Sequence, residues 1–308
     1  MRIMLWHVHG SWTTAFVQGK HQYLIPVNEA RDSWGRGRAQ TYDWPPTVEE
    51  RPLAAIRDPD VAIVQRPEEL ALVPPRVPII YVEHNTPKGD VPNTRHPMAD
   101  RDGVLVVHVT HFNELFWDCG STRTTVIEHG VVEPEPRWTG ELPRLAVVTN
   151  EPIRRGRVTG TDLFGRFAAV APLDVYGMGV AGLAGDRIAA HDDPPQRAMH
   201  AEVARRGAYL HLCRWTSLGL SLIEAMQMGM PVIGLATTEA IEAVPPDAGV
   251  LSTDVSVLAE AARWLLEEPA AARRLGERAR QVALTRYGLD RFLADWDRLL
   301  EEETCASR

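Results

Sequence analysis

The chain has 308 residues, of which 44% are hydrophobic and 24% charged, and its formal net charge is -8. This composition is typical of a globular protein with room for two domains. The acidic balance argues against a nucleic-acid partner, because phosphate backbones are bound by clustered positive charge. No ligand-spaced motif predicts a metal site, and no run reaches the roughly 18 apolar residues that a membrane-spanning helix needs.

The cysteines predict the cellular compartment, and the basic residues predict which groups can bind phosphate. Three widely separated cysteines, Cys119, Cys213 and Cys305, suit a reducing compartment, so we predict a cytoplasmic protein. Every cation except Lys20 and Lys88 is an arginine. Any phosphate bound by the second half of the chain must therefore be held by arginine or by backbone N–H groups.

In chain order, the first half alternates short apolar runs with helical segments. Helical patterns are predicted at Glu50–Arg57 and His111–Cys119. The predicted strands are Arg2–Val8, Ala39–Tyr42, Val61–Gln65, Ile79–Glu83, Val104–Val109 and Thr125–Glu128. Such alternation indicates a parallel sheet covered by helices on both faces, which binds ligands at the carboxyl ends of its strands.

A proline-rich stretch, Val131–Arg144, reads as a linker, and the alternation restarts after it. The predicted strands are Leu145–Thr149, Leu173–Tyr176, Arg187–Ala190, Tyr209–Leu212, Pro231–Leu235 and Val250–Leu251, and the predicted helices are Leu220–Met228, Val255–Glu267, Ala270–Arg286 and Leu289–Glu302. We predict an α/β fold of two Rossmann-like, doubly wound domains facing each other across a cleft. Residues 1–140 form the first domain, 141–286 the second, and 287–308 a helix that packs back toward the first.

The segment around the predicted helix Leu220–Met228 has the features of an anion site. A loop at Thr216–Gly219 leads into the helix, and Gly219 lets the backbone approach a ligand closely. The N-terminus of the helix offers free N–H groups to a diphosphate. An apolar face places Glu224 and Gln227 on the other side of the helix, where Glu224 can reach a ligand.

This segment also carries a resemblance. Residues 214–233 read RWTSLGLSLIEAMQMGMPVI and are similar to the donor-binding motif of family-4 retaining glycosyltransferases, which have the GT-B fold. The matching positions are Gly219, Leu220, Glu224, Ala225, Met226, Gly229, Pro231, Val232 and Ile233. The resemblance implies an enzyme that moves a sugar from a nucleoside diphosphate, of UDP or GDP type, to a hydroxyl of a small molecule or glycan. It implies retention of configuration, no metal and no further cofactor.

The resemblance implies roles for residues of the second domain. Glu224 would accept hydrogen bonds from the donor ribose, and Ser217, Leu218, Gly219 and Leu220 would line the donor site. The family usually has a second glutamate eight positions earlier, against the donor sugar, but here that position is Thr216. We assign Thr216 to the donor sugar as a catalytic position. Arg155 and Arg157 follow the first strand of the domain and are the candidates for the diphosphate.

In the first domain, the resemblance implies a glycine-containing loop after the opening strand. Gly10 and Ser11 are candidates for the donor phosphates, and His9 and Trp12 for the acceptor. A histidine near the reacting centre is implied at His84, which we assign as catalytic, and Asn85 beside it would orient the acceptor.

Two other functions are compatible with the sequence. The threonine at position 216 favours a non-catalytic protein that binds sugar nucleotides. A nucleotide-sugar epimerase of the same architecture ranks third, since the matched motif is that of transferases. Turnover with and without acceptors separates the three.

Overall fold

The computed structural model describes residues 1–306, which divide into two compact units. The first unit contains Met1–Val132 together with the segment that begins at Leu289, and the second contains Glu133–Gly288. The last helix, α10 (Leu289–Ala306), is therefore part of the first unit. The boundary between the two domains is predicted after residue 140 from the sequence, whereas in the structure the first unit ends at Val132.

The first unit contains a seven-stranded parallel sheet. Its strand order is β3-β2-β1-β4-β5-β6-β7. The strands are β1 (Arg2–Leu5), β2 (Gln22–Pro26), β3 (Val48–Arg51), β4 (Val61–Val64), β5 (Ile79–Glu83), β6 (Val104–His108) and β7 (Arg123–Val126). The helices are α1 (Gly10–Phe16), α2 (His111–Phe116) and α10. The strand order reverses between β1 and β4, so the connections that leave these two strands diverge.

Two predictions about the first unit were wrong. Ala39–Tyr42 is a loop, and the segment predicted as the helix Glu50–Arg57 begins with the end of strand β3. Next to this loop, the Arg38 guanidinium donates hydrogen bonds to the carbonyls of Trp44, Pro45 and Val48. Strand β3 reads Val-Glu-Glu-Arg, which lacks the alternation of a half-buried strand, because it lies at the sheet edge and pairs with β2 alone.

The second unit contains a six-stranded parallel sheet with the order β10-β9-β8-β11-β12-β13. The strands are β8 (Leu142–Val148), β9 (Leu173–Gly177), β10 (Ile188–Asp192), β11 (Arg206–His211), β12 (Val232–Leu235) and β13 (Gly249–Ser252). The helices are α3 (Pro152–Arg155), α4 (Phe164–Ala168), α5 (Gln196–Val203), α6 (Leu220–Met228), α7 (Ala240–Ala243), α8 (Val255–Glu267) and α9 (Pro269–Tyr287). Here the order reverses between β8 and β11, and α6 and α8 have the predicted bounds. The α/β class with two doubly wound sheets is confirmed.

Helix α10 packs on α1 through aromatic side chains within the first unit. Phe292 and Trp296 are fully buried. The Trp296 ring lies edge-on to Trp12, with centroids 5.7 Å apart, and to Phe16 at 4.9 Å. Such pairs add to the stabilisation from apolar burial. None of the helices in residues 1–306 is both long enough and apolar enough to pass through a bilayer. The cytoplasmic location stays a prediction.

Trp296→Ala is expected to lower the stability of the first unit by about 3–5 kcal/mol, because a buried tryptophan leaves a large cavity. Urea unfolding followed by far-UV circular dichroism measures the loss. Arg298→Ala, on the same helix with a side chain 67% exposed, is the control and should change stability by less than about 0.5 kcal/mol. Equal effects of the two substitutions would show that α10 does not contribute to the core.

Candidate functional site

In the second unit, the strand order reverses at β8 and β11, and the loops that follow these strands lie side by side. Gly160, in the loop after β8, has a φ of 73°, and a Cβ atom there would lie 2.1 Å from the carbonyl oxygen of Leu212. Only glycine allows this approach. The amide of Arg214 then donates to the carbonyl of Val158 at 2.8 Å. The arginine-containing loop after β8 is therefore held against the loop that leads into α6.

Helix α6 begins directly after that loop with an N-terminus that no side chain caps. Its N-cap is Gly219, and a Cβ atom there would lie 3.0 Å from the ring of His211. Thr216, Gly219 and Leu220 are half-buried, while Ser217 and Leu218 are buried. Burial lowers the pKa of His211 to about 4, so its imidazole is neutral at pH 7. The first-turn amides of α6 are the groups that bind anions at helix N-termini.

Glu224 lies one turn further along α6 and is held by helix α5. Its side chain is buried, with Oε1 accepting a hydrogen bond from Gln196 Nε2 at 3.1 Å and Oε2 lying 3.1 Å from His200 Nε2. Each carboxylate oxygen has lone pairs for a further donor. No local pattern in the sequence predicted the contacts of Gln196 and His200 with Glu224, because both residues lie on another helix.

The side of α6 that carries Glu224 and Gln227 is buried. Gln227 is 0% exposed and lies against α9, where its Nε2 is 3.4 Å from the carbonyl oxygen of Tyr287. Glu224, at 5% exposure, lies against α5. Both faces of the helix therefore pack, and its N-terminal turn at Leu220 and Ser221 is the part that stays half-buried.

The three arginines after β8 differ in their partners. Arg154 pairs with Glu151 at 3.2 Å, and Arg157 pairs with Asp162 at 3.3 Å, with a side chain 78% exposed. Among residues 1–306, Arg155 has no carboxylate within ion-pair distance. Burial raises the pKa of the Cys213 thiol to about 11, and the Arg155 charge acts against that rise, so Arg155 lies near the end of β11. Arg155 is the better placed of the two predicted phosphate ligands.

In the first unit, three of the predicted residues lie together where β1 and β5 end. The rings of His9 and His84 have centroids 4.0 Å apart, and Trp12 lies edge-on to His84 at 5.1 Å. Gly10 and Ser11 begin α1 and contact Tyr42 instead, with Ser11 Oγ 3.1 Å from the Tyr42 hydroxyl.

The histidine cluster is uncharged at neutral pH. Burial lowers the pKa of His84 well below its ordinary value, and the charges of His9 and His129 lower it further. Burial, partly offset by the Glu83 charge, lowers the pKa of His9 to about 4, and burial together with the charges of His9 and Arg291 lowers the pKa of His129 to about 3. Within the described chain, the buried atoms His84 Nε2 and His129 Nδ1 have no hydrogen-bond partner.

Asn85 contacts a different set of neighbours from His84. Its backbone N–H and side-chain Nδ2 donate to Glu83 Oε1 at 2.6 and 3.2 Å, and its carbonyl accepts a hydrogen bond from Trp117 Nε1 at 2.7 Å. Glu83 and Trp117 were not predicted as site residues from the sequence, and the structure places both against Asn85. No group of three or more potential metal ligands occurs among the residues that the structure describes.

Comparison with known proteins relates the second unit to a family of enzymes and the whole chain to a known fold. Residues 186–282, which include α5 and α6, match the family described as glycosyl transferases group 1. A search of curated proteins finds no match. The fold is similar to that of sucrose-phosphate synthase from Thermosynechococcus elongatus, with a TM-score of 0.75, 15% identity and coverage of 99% of this chain and 100% of the other.

Two other solved structures have the same fold. Anabaena HepE in complex with UDP-glucose has a TM-score of 0.73 and 14% identity, covering 98% of this chain and 100% of the other. AviGT4, a glycosyltransferase involved in avilamycin A biosynthesis, has a TM-score of 0.67 and 13% identity, covering 99% and 98%. The protein is thus a glycosyltransferase with the GT-B fold. The match to the glycosyl transferases group 1 covers the segment 186–282, which contains the predicted motif.

Acidification is expected to destabilise the first unit through four histidines whose pKa values burial lowers: His9, His84, His108 and His129. Below about pH 6.5 the unfolded chain binds protons on these histidines, whereas the folded chain does not. The free energy of unfolding that they contribute is therefore fully present above about pH 6.5 and decreases as the pH falls toward about 4. Urea unfolding should show a loss of at least about 2 kcal/mol between pH 7 and 5, since each histidine contributes up to about 1.4 kcal/mol per pH unit.

His129→Asn should reduce the number of protons taken up on unfolding by about one, since one titrating group is removed. The free energy of unfolding should then depend less steeply on pH. His111→Asn, which changes a histidine exposed on α2, is the control and should leave the pH dependence unchanged. A free energy of unfolding that is flat or rises on acidification from pH 7 to 5 contradicts the buried neutral cluster.

Proposed function

We propose that the protein transfers a sugar from a nucleoside-diphosphate sugar to a hydroxyl acceptor, with retention of configuration and without a metal ion. The observation that carries the proposal is the N-terminus of α6. Its uncapped first turn lies at the end of β8, where Ser221 Oγ donates to the carbonyl of Val148, and the unpaired Arg155 lies near the end of β11. The carboxylate of Glu224 follows one turn later in α6.

The donor would be held by its nucleoside diphosphate. The first-turn amides of α6 and the Arg155 guanidinium suit the phosphate oxygens, with Arg157 as a second cation. The ribose hydroxyls would donate to Glu224, whose orientation His200 and Gln196 fix before the ligand arrives. A UDP- or GDP-type donor is proposed, and HepE in complex with UDP-glucose is a structural relative that supports the first of these.

The chemistry depends on stabilising the departing diphosphate. Fixed N–H dipoles and arginine charge favour negative charge as it develops on the leaving oxygen, so the residues present suffice without a metal. The departing phosphate would take the proton of the acceptor hydroxyl. His84 is neutral at pH 7, so it would hydrogen-bond to the donor sugar and would not supply positive charge. Thr216 and Ser217 would contact the donor sugar through hydroxyl groups, and His9, Trp12 and Asn85 would contact the acceptor.

A second candidate is a protein that binds sugar nucleotides without turning them over. Thr216 favours it, because a hydroxyl is shorter than the glutamate of the family and carries no charge. Both candidates share the nucleotide site, so binding tests the site and turnover distinguishes the functions.

UDP or GDP at about 100 times its Kd should stabilise the protein by about 2.7 kcal/mol, which corresponds to a rise in Tm of about 5–10 °C for a unit of this size. Glu224→Gln should remove most of this rise, because the ribose loses a charged acceptor. His200→Asn should reduce it by freeing the carboxylate. Differential scanning fluorimetry with UDP, GDP, ADP and dTDP measures the rise.

The control for this prediction is Glu267→Gln, which neutralises an exposed carboxylate at the end of α8 in the same unit. It should leave the nucleotide-induced rise unchanged. If Glu224→Gln keeps the full rise while its own Tm without nucleotide matches the wild type, the assignment of Glu224 to the ribose is wrong.

Arg155→Gln should lower kcat/KM for sugar transfer by about 10–100-fold, because a hydrogen bond to a charged group is lost at the diphosphate. Arg154→Gln is the matched control, since Arg154 is an exposed neighbour paired with Glu151, and it should retain activity within about threefold. The measurement is release of nucleotide with and without a panel of hydroxyl acceptors. Tight nucleotide binding without turnover on any acceptor would favour the non-catalytic candidate.

A further inference from the structure

A pocket in the first unit lies beside the carboxyl end of β5 and has no role in the proposal so far. Its volume is about 400 Å³, which falls in the range of small-molecule sites. The residues that line the pocket include Glu83, Asn85, Lys88, Arg95 and Trp117. Asn85, one of the residues proposed above for the acceptor, is among them.

The polar wall of the pocket is fixed in position. The Glu83 carboxylate is 4% exposed and accepts hydrogen bonds from Asn85 and, at 2.9 Å, from His96 Nε2. His96 Nδ1 accepts from the amide of Met98 at 3.0 Å, so the proton lies on Nε2. Glu83 thereby sets the orientation of the Asn85 side chain, whose carbonyl oxygen remains available to a hydroxyl group of a ligand.

The aromatic wall is equally constrained. The Trp117 indole donates to the carbonyl of Asn85 at 2.7 Å, and its ring lies edge-on to His96 with centroids 5.0 Å apart. The ring itself lines the pocket. A rigid aromatic face beside hydrogen-bonding groups suits a ring with an apolar face and hydroxyl edges, which describes a sugar.

The pocket carries positive charge although the chain is acidic. Arg95 forms an ion pair with Asp100. Lys88 has no carboxylate within ion-pair distance among residues 1–306, whereas the other lysine, Lys20, pairs with Asp297 at 2.9 Å. An unpaired ammonium beside a pocket attracts an anionic group of a ligand.

We propose that this pocket binds the acceptor, and that the acceptor is a sugar that carries a carboxylate or phosphate group. The ring would lie on Trp117, a hydroxyl would bind Asn85, and the anionic group would approach Lys88. This inference rests on the proposed function, because it assigns the acceptor side of the same reaction.

Competitive lysine labelling tests the proposal, since the chain has only two lysines. The full-length protein is acetylated with and without glucose, glucuronate, glucose 6-phosphate or inorganic phosphate, and the rates at Lys88 and Lys20 are read by mass spectrometry. Glucuronate or glucose 6-phosphate should slow labelling of Lys88 by at least about threefold and leave Lys20 unchanged, since a charged contact is protected.

Three labelling results would overturn the proposal. In the first, neither charged sugar slows the labelling of Lys88. In the second, the labelling of Lys88 and Lys20 is slowed equally. In the third, inorganic phosphate slows the labelling of Lys88 as much as glucose 6-phosphate does. The last result would indicate a simple anion site without recognition of the sugar.

Substitutions add a second measurement. Lys88→Gln should weaken binding of the protecting charged sugar by about tenfold, while Lys20→Gln, which removes the same charge elsewhere in the unit, should change it by less than about twofold. Trp117→Ala should weaken binding of both charged and neutral sugars, and Trp117→Phe should restore most of it if the ring is the contact. Equal affinities of the Lys88→Gln and Lys20→Gln proteins would overturn the role of Lys88.

The nucleotide-induced rise in Tm separates the two proposals. If it persists in these variants while no charged sugar protects Lys88, the pocket assignment fails and the proposed function stands. If the wild-type protein shows no rise with any nucleotide, the proposed function itself fails.

Discussion

The reversal of strand order in each parallel sheet is the constraint on which the candidate site depends. In the second unit, successive connections leave β8 and β11 in opposite directions, so the ends of these two strands are left open between them. The α6 N-terminus and the arginine loop lie there because they follow those strands in the chain. In the first unit the reversal falls at β1 and β4, and His9 follows β1. The fold therefore decides where ligands bind, while the loop residues decide which ligands they are.

The buried carboxylate of Glu224 shows how a helix with two packed faces can still present a charged group. A carboxylate without partners in such a position is unfavourable, and Gln196 and His200 offset this with one hydrogen bond to each oxygen. The same contacts limit the orientations of the carboxylate. If Glu224 binds the donor ribose as proposed, the ligand would meet an acceptor that is already positioned, and less conformational entropy would be lost on binding. Stability and recognition would then be coupled at this residue.

The sequence predicted the elements that have strong local signals and missed those that depend on distant partners. Helix α6 was predicted with its observed bounds, since a glycine precedes its apolar run and another follows it. Strand β3 was missed because an edge strand need not be apolar. His9, Trp12 and His84 were singled out separately, and only the fold brings them together. Gln196, His200 and Trp117 contribute through tertiary contacts, which no spacing in the sequence reveals.

The electrostatics of the two units differ in a way that bears on the reaction. The histidines at the ends of β1 and β5 are neutral because burial disfavours protonation, to which the charges of neighbouring histidines add at His84. In the second unit, permanent positive charge comes from arginine, whose pKa is too high to titrate near neutrality. Imidazole in the first unit can therefore orient a hydroxyl group but is a weak source of charge, whereas Arg155 and the α6 dipole can stabilise an anion at any physiological pH. Under the proposed function, this division would place the stabilisation of the leaving group in the second unit and would leave the departing phosphate to accept the proton of the acceptor hydroxyl.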